Sequence, residues 1–159
     1  MKRILVATDG SVSSTEAVQF GVELAAEHAS ELIFVHVVPV LDVVPASGFG
    51  IGGAFPHEVT KGDRSLLDDA AAVATEHGVV STTALVRGDT VEEILGYADT
   101  HDVDVIVLGS RGHSAVAATL LGSVSRAVLR EARRPVVIVR AGALVHTSEP
   151  AETTAKVGR

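Results

Sequence analysis

The chain has 159 residues, 47% hydrophobic and 21% charged, a composition typical of one globular domain with a sizeable core. Its formal net charge of −7 argues against a nucleic-acid-binding surface, and the absence of cysteine excludes disulfides and a thiol nucleophile. The first apolar run, residues 4–7, is too short for a signal peptide, and no run reaches the roughly 18 residues of a membrane span. We expect a cytoplasmic protein without nucleic-acid or membrane partners.

Strand and helix patterns alternate from the first residues onward. Residues 4–7 predict a buried strand, followed by a turn at Asp9 and Gly10. A helix should follow with Ser11 or Ser13 as its N-cap. Its predicted inner face consists of Ala17, Phe20, Gly21, Leu24, Ala25 and His28. Residues 32–38 predict the second strand.

The middle of the chain begins with an irregular stretch, residues 39–57, rich in proline and glycine. Helical periodicity returns near Asp63 and stops at Gly78, a residue suited to a helix C-terminus. Residues 79–86 predict a third strand, and Asp89 or Thr90 should cap a short third helix.

The last part of the domain contains the fourth strand, residues 105–108, then a glycine-containing loop and a helix predicted to end near Arg134. Residues 136–139 predict the fifth strand. We expect one domain over residues 1–141 and a polar, mobile tail over residues 142–159. The alternation predicts an α/β fold with a mostly parallel sheet, which binds ligands at the carboxyl ends of its strands.

Glycines after the fourth strand suggest an anion site. Gly109 and Gly112 follow the strand, and Gly122-Ser123 precedes the last helix. Glycines let main-chain N–H groups approach a phosphate closely, and a helix N-terminus adds unpaired donors. If the first and fourth strands are neighbours, Asp9 faces this loop and belongs to the same site.

These residues resemble the universal stress protein family. The resemblance rests on ILVATDGS, FVHVV, VRGDTVEEI, GSRGHS, LLGSVSRAVL and RRPVVIV, over about residues 2–140. The spacing G-x2-G-x9-G-S is that of its ATP-binding members. The resemblance implies a five-stranded open parallel sheet in the order 3-2-1-4-5 with helices on both faces, similar to the adenine nucleotide alpha hydrolases. It also implies a homodimer through the last strand.

The resemblance implies ATP, or ADP or AMP, as the ligand, with Mg²⁺ as an accompanying ion. Asp9 would lie by the ribose and adenine, Val37 would offer its backbone to the adenine, and the glycines with Ser123 would hold ribose and phosphates. The full predicted site is Ala7, Asp9, Val37, Gly109, Arg111, Gly112, Gly122, Ser123 and Ser125. Two positions depart from the family pattern: Thr90, where proline is frequent, and Arg134, where a small residue or cysteine is common.

Each candidate also has a structural interpretation. The glycines can simply turn a loop, Asp9 can form a turn, and Ser125 either donates to a phosphate or faces solvent. Arg111 and His113 lie between the two glycine pairs and either meet a phosphate or point into water. His36 lies in an apolar strand, which favours a packed structural histidine over a ligand.

The sequence favours binding over catalysis. Residues 48–53 match G-x-G-x-x-G but lie about ten residues after their strand and before Pro56, so we interpret them as a flap over the nucleotide rather than a dinucleotide motif. No residue is placed to direct a hydrolytic water, so we expect a dimeric stress-response switch or sensor with slow hydrolysis at most. The alternatives are a nucleotide-independent interaction module, acting through dimer surfaces or residues 39–57, and a true adenine-nucleotide enzyme.

Overall fold

The computed structural model describes residues 1–44, 52–112 and 121–142. The strands within them are β1 (Arg3–Ala7), β2 (Glu31–Val38), β3 (Leu41–Val44), β4 (Gly53–Pro56), β5 (Ser81–Arg87), β6 (Val105–Gly109) and β7 (Val136–Val139). The helices are α1 (Val12–His28), α2 (Lys61–Glu76), α3 (Thr90–Thr100) and α4 (Ser123–Glu131).

Five strands form one parallel sheet in the order β5-β2-β1-β6-β7. This confirms the predicted α/β class, and, counted within this sheet alone, the strands run 3-2-1-4-5. The labels β5, β6 and β7 stand where the prediction had its third, fourth and fifth strands, because β3 and β4 form a separate two-stranded sheet. β1 lies beside β6 with Ala7 opposite Leu108, so the loops that follow these two strands start side by side.

Apolar side chains cover both faces of the sheet. One core joins Ile4 and Val6 of β1 to α1 and α2, and the other joins Leu5 of β1 to α3 and α4. Successive residues of β1 serve opposite cores because strand side chains alternate between faces. This explains why its apolar run is continuous rather than alternating.

Residues 39–57 are not wholly irregular, so that prediction was wrong. β3 and β4 form an antiparallel pair in which Leu41 faces Pro56. Proline is tolerated at the end of β4 because the pair has only two strands and the residue need not donate to a ladder. The four-residue strands were hidden among the glycines and prolines that dominate the stretch, and residues 45–51 lie outside the described part of the chain.

Several predicted boundaries and faces also need correction. α4 ends at Glu131 rather than near Arg134, since the chain turns extended at Ala132 ahead of Pro135. β5 begins at residue 81, two residues later than predicted. The predicted inner face of α1 is confirmed at Ala17 and wrong at His28, which is exposed on the last turn.

Within the described residues, no helix is long and apolar enough to span a membrane. Of the predicted tail, residues 142–159, the structure describes Gly142 alone, and the domain boundary at residue 141 stays a prediction.

Side chains cap the first three helices. Ser11 rather than Ser13 caps α1, accepting from the Ser14 amide, and Asp89 rather than Thr90 caps α3. Thr60 caps α2 in a reciprocal capping box with Asp63. α4 differs, because its N-cap is Gly122, which has no side chain to offer.

The capping box of α2 predicts a pH-dependent contribution to stability. Hydrogen bonds from the Thr60 hydroxyl and then the Thr60 amide, supported by His36, hold the pKa of Asp63 well below its ordinary value. A depressed pKa stabilises the fold above the unfolded-state value of about 3.9, and this contribution is lost as the pH falls below it. Asp63→Asn should therefore lower the free energy of unfolding by about 1 kcal/mol at pH 7, and by less at pH 3.

Urea unfolding of wild type and variant at both pH values measures this difference. Asp68→Asn, at an exposed position of the same helix, is the control and should change stability little at either pH. An Asp63→Asn penalty of the same size at pH 3 and pH 7 would contradict the assignment.

Candidate functional site

The predicted site residues gather at the carboxyl edge of the sheet. Ala7, Val37 and Gly109 lie at or next to the ends of β1, β2 and β6, which are adjacent in the order β2-β1-β6. The Thr8 amide donates to the Val35 carbonyl at 2.9 Å, so the main chain of Val37 continues past the end of β1. The prediction that the loops after β1 and β6 lie side by side is confirmed, and that they form one ligand site stays a prediction.

Asp9 begins the turn between β1 and α1. Its Oδ1 accepts from the Ser11 amide at 3.0 Å and from the Ser11 hydroxyl at 2.6 Å, which makes it a turn former. Gly10 has a φ of 78°, a conformation that favours glycine. A Cβ on Gly112 would lie 2.5 Å from Asp9 Oδ2, so the same carboxylate also faces the opposite loop. The two interpretations of Asp9 are therefore compatible.

Serines at the start of α1 hold the β6 loop, and the sequence prediction did not include Ser13 in this role. The Arg111 amide donates to Ser13 Oγ at 3.1 Å, and the Ser13 hydroxyl donates back to the Arg111 carbonyl. The Ser11 hydroxyl also lies 3.0 Å from that carbonyl. Both main-chain groups of Arg111 are thus satisfied by α1, which fixes the loop between its glycines.

Gly109 is required by helix packing. A Cβ there would lie 2.6 Å from the Ser13 carbonyl carbon and from the Ser14 amide nitrogen. Both are main-chain atoms of α1 that cannot turn aside, so a side chain at this position forces the helix and strand apart. This close approach explains Gly109 without any ligand, whether or not the residue also contacts one.

The N-terminus of α4 forms the second side of the site. The Gly122 amide donates to the Ser110 carbonyl at 2.8 Å, which places the start of α4 against the β6 loop. Among the described residues, a Cβ on Gly122 would come nearest to Arg111 Cα and the Ser110 carbonyl oxygen, at 3.5 Å, an ordinary contact. Packing against these residues therefore does not require glycine here. Ser123, the first helical residue, is exposed.

Ser125 is buried, which rules out the second of its two alternatives, that it faces solvent. Its hydroxyl donates to the Gly109 carbonyl at 2.8 Å and ties α4 to the end of β6. This bond uses the single hydroxyl hydrogen, which leaves lone pairs but no second donor. Donation from Ser125 to a phosphate stays a prediction and requires this bond to break.

A cleft of about 500 Å³ opens at this edge beside the β6 loop. It is lined by Gly10, Ser11, Val12, Ser13, Ser110, Arg111, Gly112, Arg140 and Ala141. Arg111 and Gly112 belong to the predicted site, whereas Val37, Gly122 and Ser123 lie outside its walls. The cleft therefore extends the predicted site from the β6 loop toward the end of β7, where Arg140 follows the strand.

His36 is a packed structural histidine, as predicted. It is buried on β2, with Nδ1 2.8 Å from the Thr8 carbonyl oxygen and Nε2 3.1 Å from Asp63 Oδ1. The ring thus links the residue before Asp9 to the first turn of α2. Its role is to support the turn after β1 from behind.

The other residues singled out in the sequence lie outside the described residues or away from the cleft. His113 and most of the G-x-G-x-x-G segment, residues 48–51, lie outside the described residues. Thr90 is the first residue of α3, a position where proline also fits, so its departure from the family pattern disturbs nothing nearby. Arg134 lies 3.5 Å from Asp99, at the opposite end of β7 from the cleft.

The arrangement can bind an anion through main-chain and guanidinium donors. A carboxylate, a glycine loop and an uncapped helix N-terminus meet at one sheet edge, with Arg111 and Arg140 in the adjoining cleft. Within residues 1–44, 52–112 and 121–142, no group of three or more histidine, aspartate or glutamate side chains is placed to hold a metal ion.

Comparison with known proteins gives consistent matches. The sequence profile of the universal stress protein family matches residues 1–140. Universal stress protein YxiE of Bacillus subtilis is 38% identical over 145 residues, which cover 87% of this chain and 98% of that protein. A universal stress protein of Methanocaldococcus jannaschii, MJ0531, is 32% identical over 142 residues, which cover 87% of this chain and 82% of that protein.

A solved structure matches the fold as well. A universal stress protein crystallised in complex with cAMP superposes with a TM-score of 0.65 at 29% identity, covering 87% of this chain and 95% of that one.

The contrast between Gly109 and the exposed glycine of α3, Gly96, predicts opposite effects of one methyl group. Gly109→Ala should lower the free energy of unfolding by about 1–3 kcal/mol, because its Cβ meets main-chain atoms of α1. Gly96→Ala should raise it by up to about 1 kcal/mol, since nothing lies within 4 Å and alanine favours a helix. Urea denaturation measures both, and a Gly109→Ala variant as stable as wild type would show that α1 does not pack this closely.

Proposed function

The chain belongs to the universal stress protein family, and on this basis we propose that it is an adenine-nucleotide-binding stress-response protein. It binds ATP, or ADP or AMP, at the carboxyl edge of the sheet and acts in the cytoplasm as a dimeric switch or sensor. Any Mg²⁺ arrives with the phosphates.

One observation carries the proposal: α4 alone among the four described helices begins without a side-chain cap. The first amides of a helix have no partner within it, and a serine or aspartate normally accepts from one of them. Here Gly122 offers them no side-chain acceptor, at the point where the helix meets the described part of the β6 loop. Open amides at a positive helix end are a phosphate site.

The proposed pose follows the strand order. The main chain of Val37, beyond the end of β1, would contact the adenine, and Asp9 would lie by the ribose. Gly112, Gly122 and Ser123 would surround the first phosphate. The relative solved with cAMP supports an adenine nucleotide as the ligand class, since that molecule is itself one.

Hydrogen bonds to the phosphates and burial of the base can together give micromolar affinity. Hydrogen bonds to a charged group contribute about 1.5–3 kcal/mol each, so three or four of them with a buried base can reach the ~8 kcal/mol of micromolar affinity. The Arg111 amide, which donates to Ser13, and the Gly122 amide, which donates to Ser110, are occupied but fix the loop, so little ordering cost opposes binding at the neighbouring amides.

Hydrolysis is expected to be slow at most. Phosphoryl transfer needs an oriented water and charge neutralisation at the leaving group. The carboxylate nearest the loop, Asp9, already accepts two hydrogen bonds from Ser11 that hold it in the turn. A residue fixed in this way is better suited to contact a ribose than to move a water.

A second candidate, the nucleotide-independent interaction module, is favoured by one observation. Val40, Leu41 and Phe55 of the β3–β4 region are about half exposed. Exposed apolar residues grouped on one hairpin are typical of contact surfaces. Partner capture that is unaffected by loss of nucleotide binding would favour this candidate over the first.

Substituting Gly122 by serine gives a sharp test, because it should change stability and affinity in opposite directions. The backbone of Gly122, with φ −65° and ψ 164°, accepts a serine, whose hydroxyl would cap the open amides. We expect the free energy of unfolding to rise by a few tenths to about 1 kcal/mol. Affinity for ATP should fall roughly tenfold, because the hydroxyl occupies a donor that the phosphate needs.

Calorimetric titration with ATP and thermal unfolding measure the two effects. Gly96→Ala is the matched control: it should stabilise the protein without changing affinity, since Gly96 lies on the outer side of α3. The bulkier Gly122→Val should block binding by its volume. Wild-type protein that fails to bind ATP, ADP and AMP with Mg²⁺ present would refute the proposed function.

The dimer is predicted to form through β7, which is an edge strand of the sheet. Its residues are apolar, and an unprotected apolar edge pairs readily with a second chain. Light scattering after size-exclusion chromatography should give twice the chain mass, and Val137→Lys should shift the protein to monomer. A wild-type monomer at micromolar concentration would remove this part of the proposal.

A further inference from the structure

Arg140 lies where the predicted nucleotide tail would end. It follows β7 directly and lines the 500 Å³ cleft together with Arg111 and Gly112 of the β6 loop. The Ser110 amide donates to the Val139 carbonyl at 2.6 Å, which holds the start of the β6 loop against the residue before Arg140. No inference from sequence singled out Arg140.

The cleft is positively charged in an acidic protein. The chain carries a net charge of −7, yet the described residues that line the cleft include two arginines and no carboxylate, and the Asp9 carboxylate lies just behind Gly112. Three other arginines lie beside carboxylates: Arg3 lies 2.9 Å from Glu31, Arg130 lies 2.5 Å from Glu131, and Arg134 lies 3.5 Å from Asp99. Within the described residues, neither the Arg111 nor the Arg140 side chain has an ion pair or hydrogen bond. Both guanidinium groups are therefore available to an anion in the cleft.

The strand order sets the direction in which a bound nucleotide would extend. Along the carboxyl edge the order is β2, β1, β6, β7. With the base at β2 and the ribose at Asp9, the first phosphate falls at the loop after β6. Three inter-strand spacings separate the end of β2 from the end of β7, roughly 14 Å. A single phosphate stops short of β7, whereas a longer phosphate chain continues toward it.

We propose that Arg140, together with Arg111 in the same cleft, binds the terminal phosphates of the nucleotide and so makes the protein select triphosphates over monophosphates. The inference rests on the proposed function, since it takes the base and ribose positions from it. An arginine is suited to this role because its planar guanidinium donates two parallel hydrogen bonds to a phosphate. Its exposed position lets it act without a large desolvation cost.

The experiment compares affinities of ATP and AMP for wild type and three variants by calorimetry. Arg140→Gln should weaken ATP binding about five- to tenfold and leave AMP binding within twofold. Arg140→Lys should lose less ATP affinity, because it keeps the charge but not the paired donors. Arg130→Gln removes the same charge from the exposed end of α4 and should change neither affinity.

The outcomes separate the two proposals. If wild type binds both nucleotides and Arg140→Gln leaves the ratio of ATP to AMP affinity unchanged, the role of Arg140 is refuted while the proposed function stands. An equal ratio change in Arg130→Gln would also refute it, since general electrostatics would then be the cause. If wild type binds no adenine nucleotide, both proposals fail. Thermal unfolding of Arg140→Gln confirms that the fold is retained.

Discussion

The close approach of α1 to the end of β6 is the contact on which the site depends. The main chain of Ser13 and Ser14 lies so near Gly109 that a methyl group cannot fit between them. At this distance Ser13 reaches both main-chain groups of Arg111, while Ser125 holds the Gly109 carbonyl from α4. The β6 loop is thus fixed between the N-termini of two helices on opposite faces of the sheet. A loop held in this way has one arrangement before any ligand arrives.

Glycine therefore occupies the three positions of the family spacing for different physical reasons. Gly109 is explained by packing against α1, and Gly112 by the nearness of the Asp9 carboxylate. Neither needs a ligand to account for it. Gly122 is the exception, since a Cβ there makes ordinary contacts with the described residues around it and a serine would cap the helix. A helix without a side-chain cap is less stable than a capped one, and an anion bound at its N-terminus would restore that stability. The case for a phosphate site thus rests on Gly122 far more than on the spacing as a whole.

Sequence patterns predicted the strands and helices of the main sheet because buried parallel strands are continuous apolar runs, and amphipathic helices have a distinct period. Two features of the structure were not predicted from the sequence. The β3–β4 pair has four-residue strands among turn-forming residues, which is too short for a periodic signal. The Ser13–Arg111 bond joins residues 98 positions apart, and a hydroxyl contact of that kind leaves no local trace. The serines after Gly10 were visible, yet a helix cap explained them fully. Packing distances, which decide between turn and ligand roles for Gly109, exist only once the helix is placed against the strand.

An acidic protein that binds a polyanion must overcome its own net charge. With −7 spread over the surface, the general field repels a nucleotide, although salt screens that repulsion beyond about 8 Å. At distances shorter than this screening length, nearby hydrogen-bond donors decide whether an anion binds. Main-chain amides at α4 carry partial positive charge that no titration can remove, and the described residues that line the cleft at the β6 loop include arginines but no carboxylate. Repulsion at long range and attraction at short range together favour ligands that can fill the whole edge of the sheet. A small anion gains one or two of these contacts, whereas in the proposed pose an adenine nucleotide with a long phosphate chain would reach from β2 to β7 and gain them all.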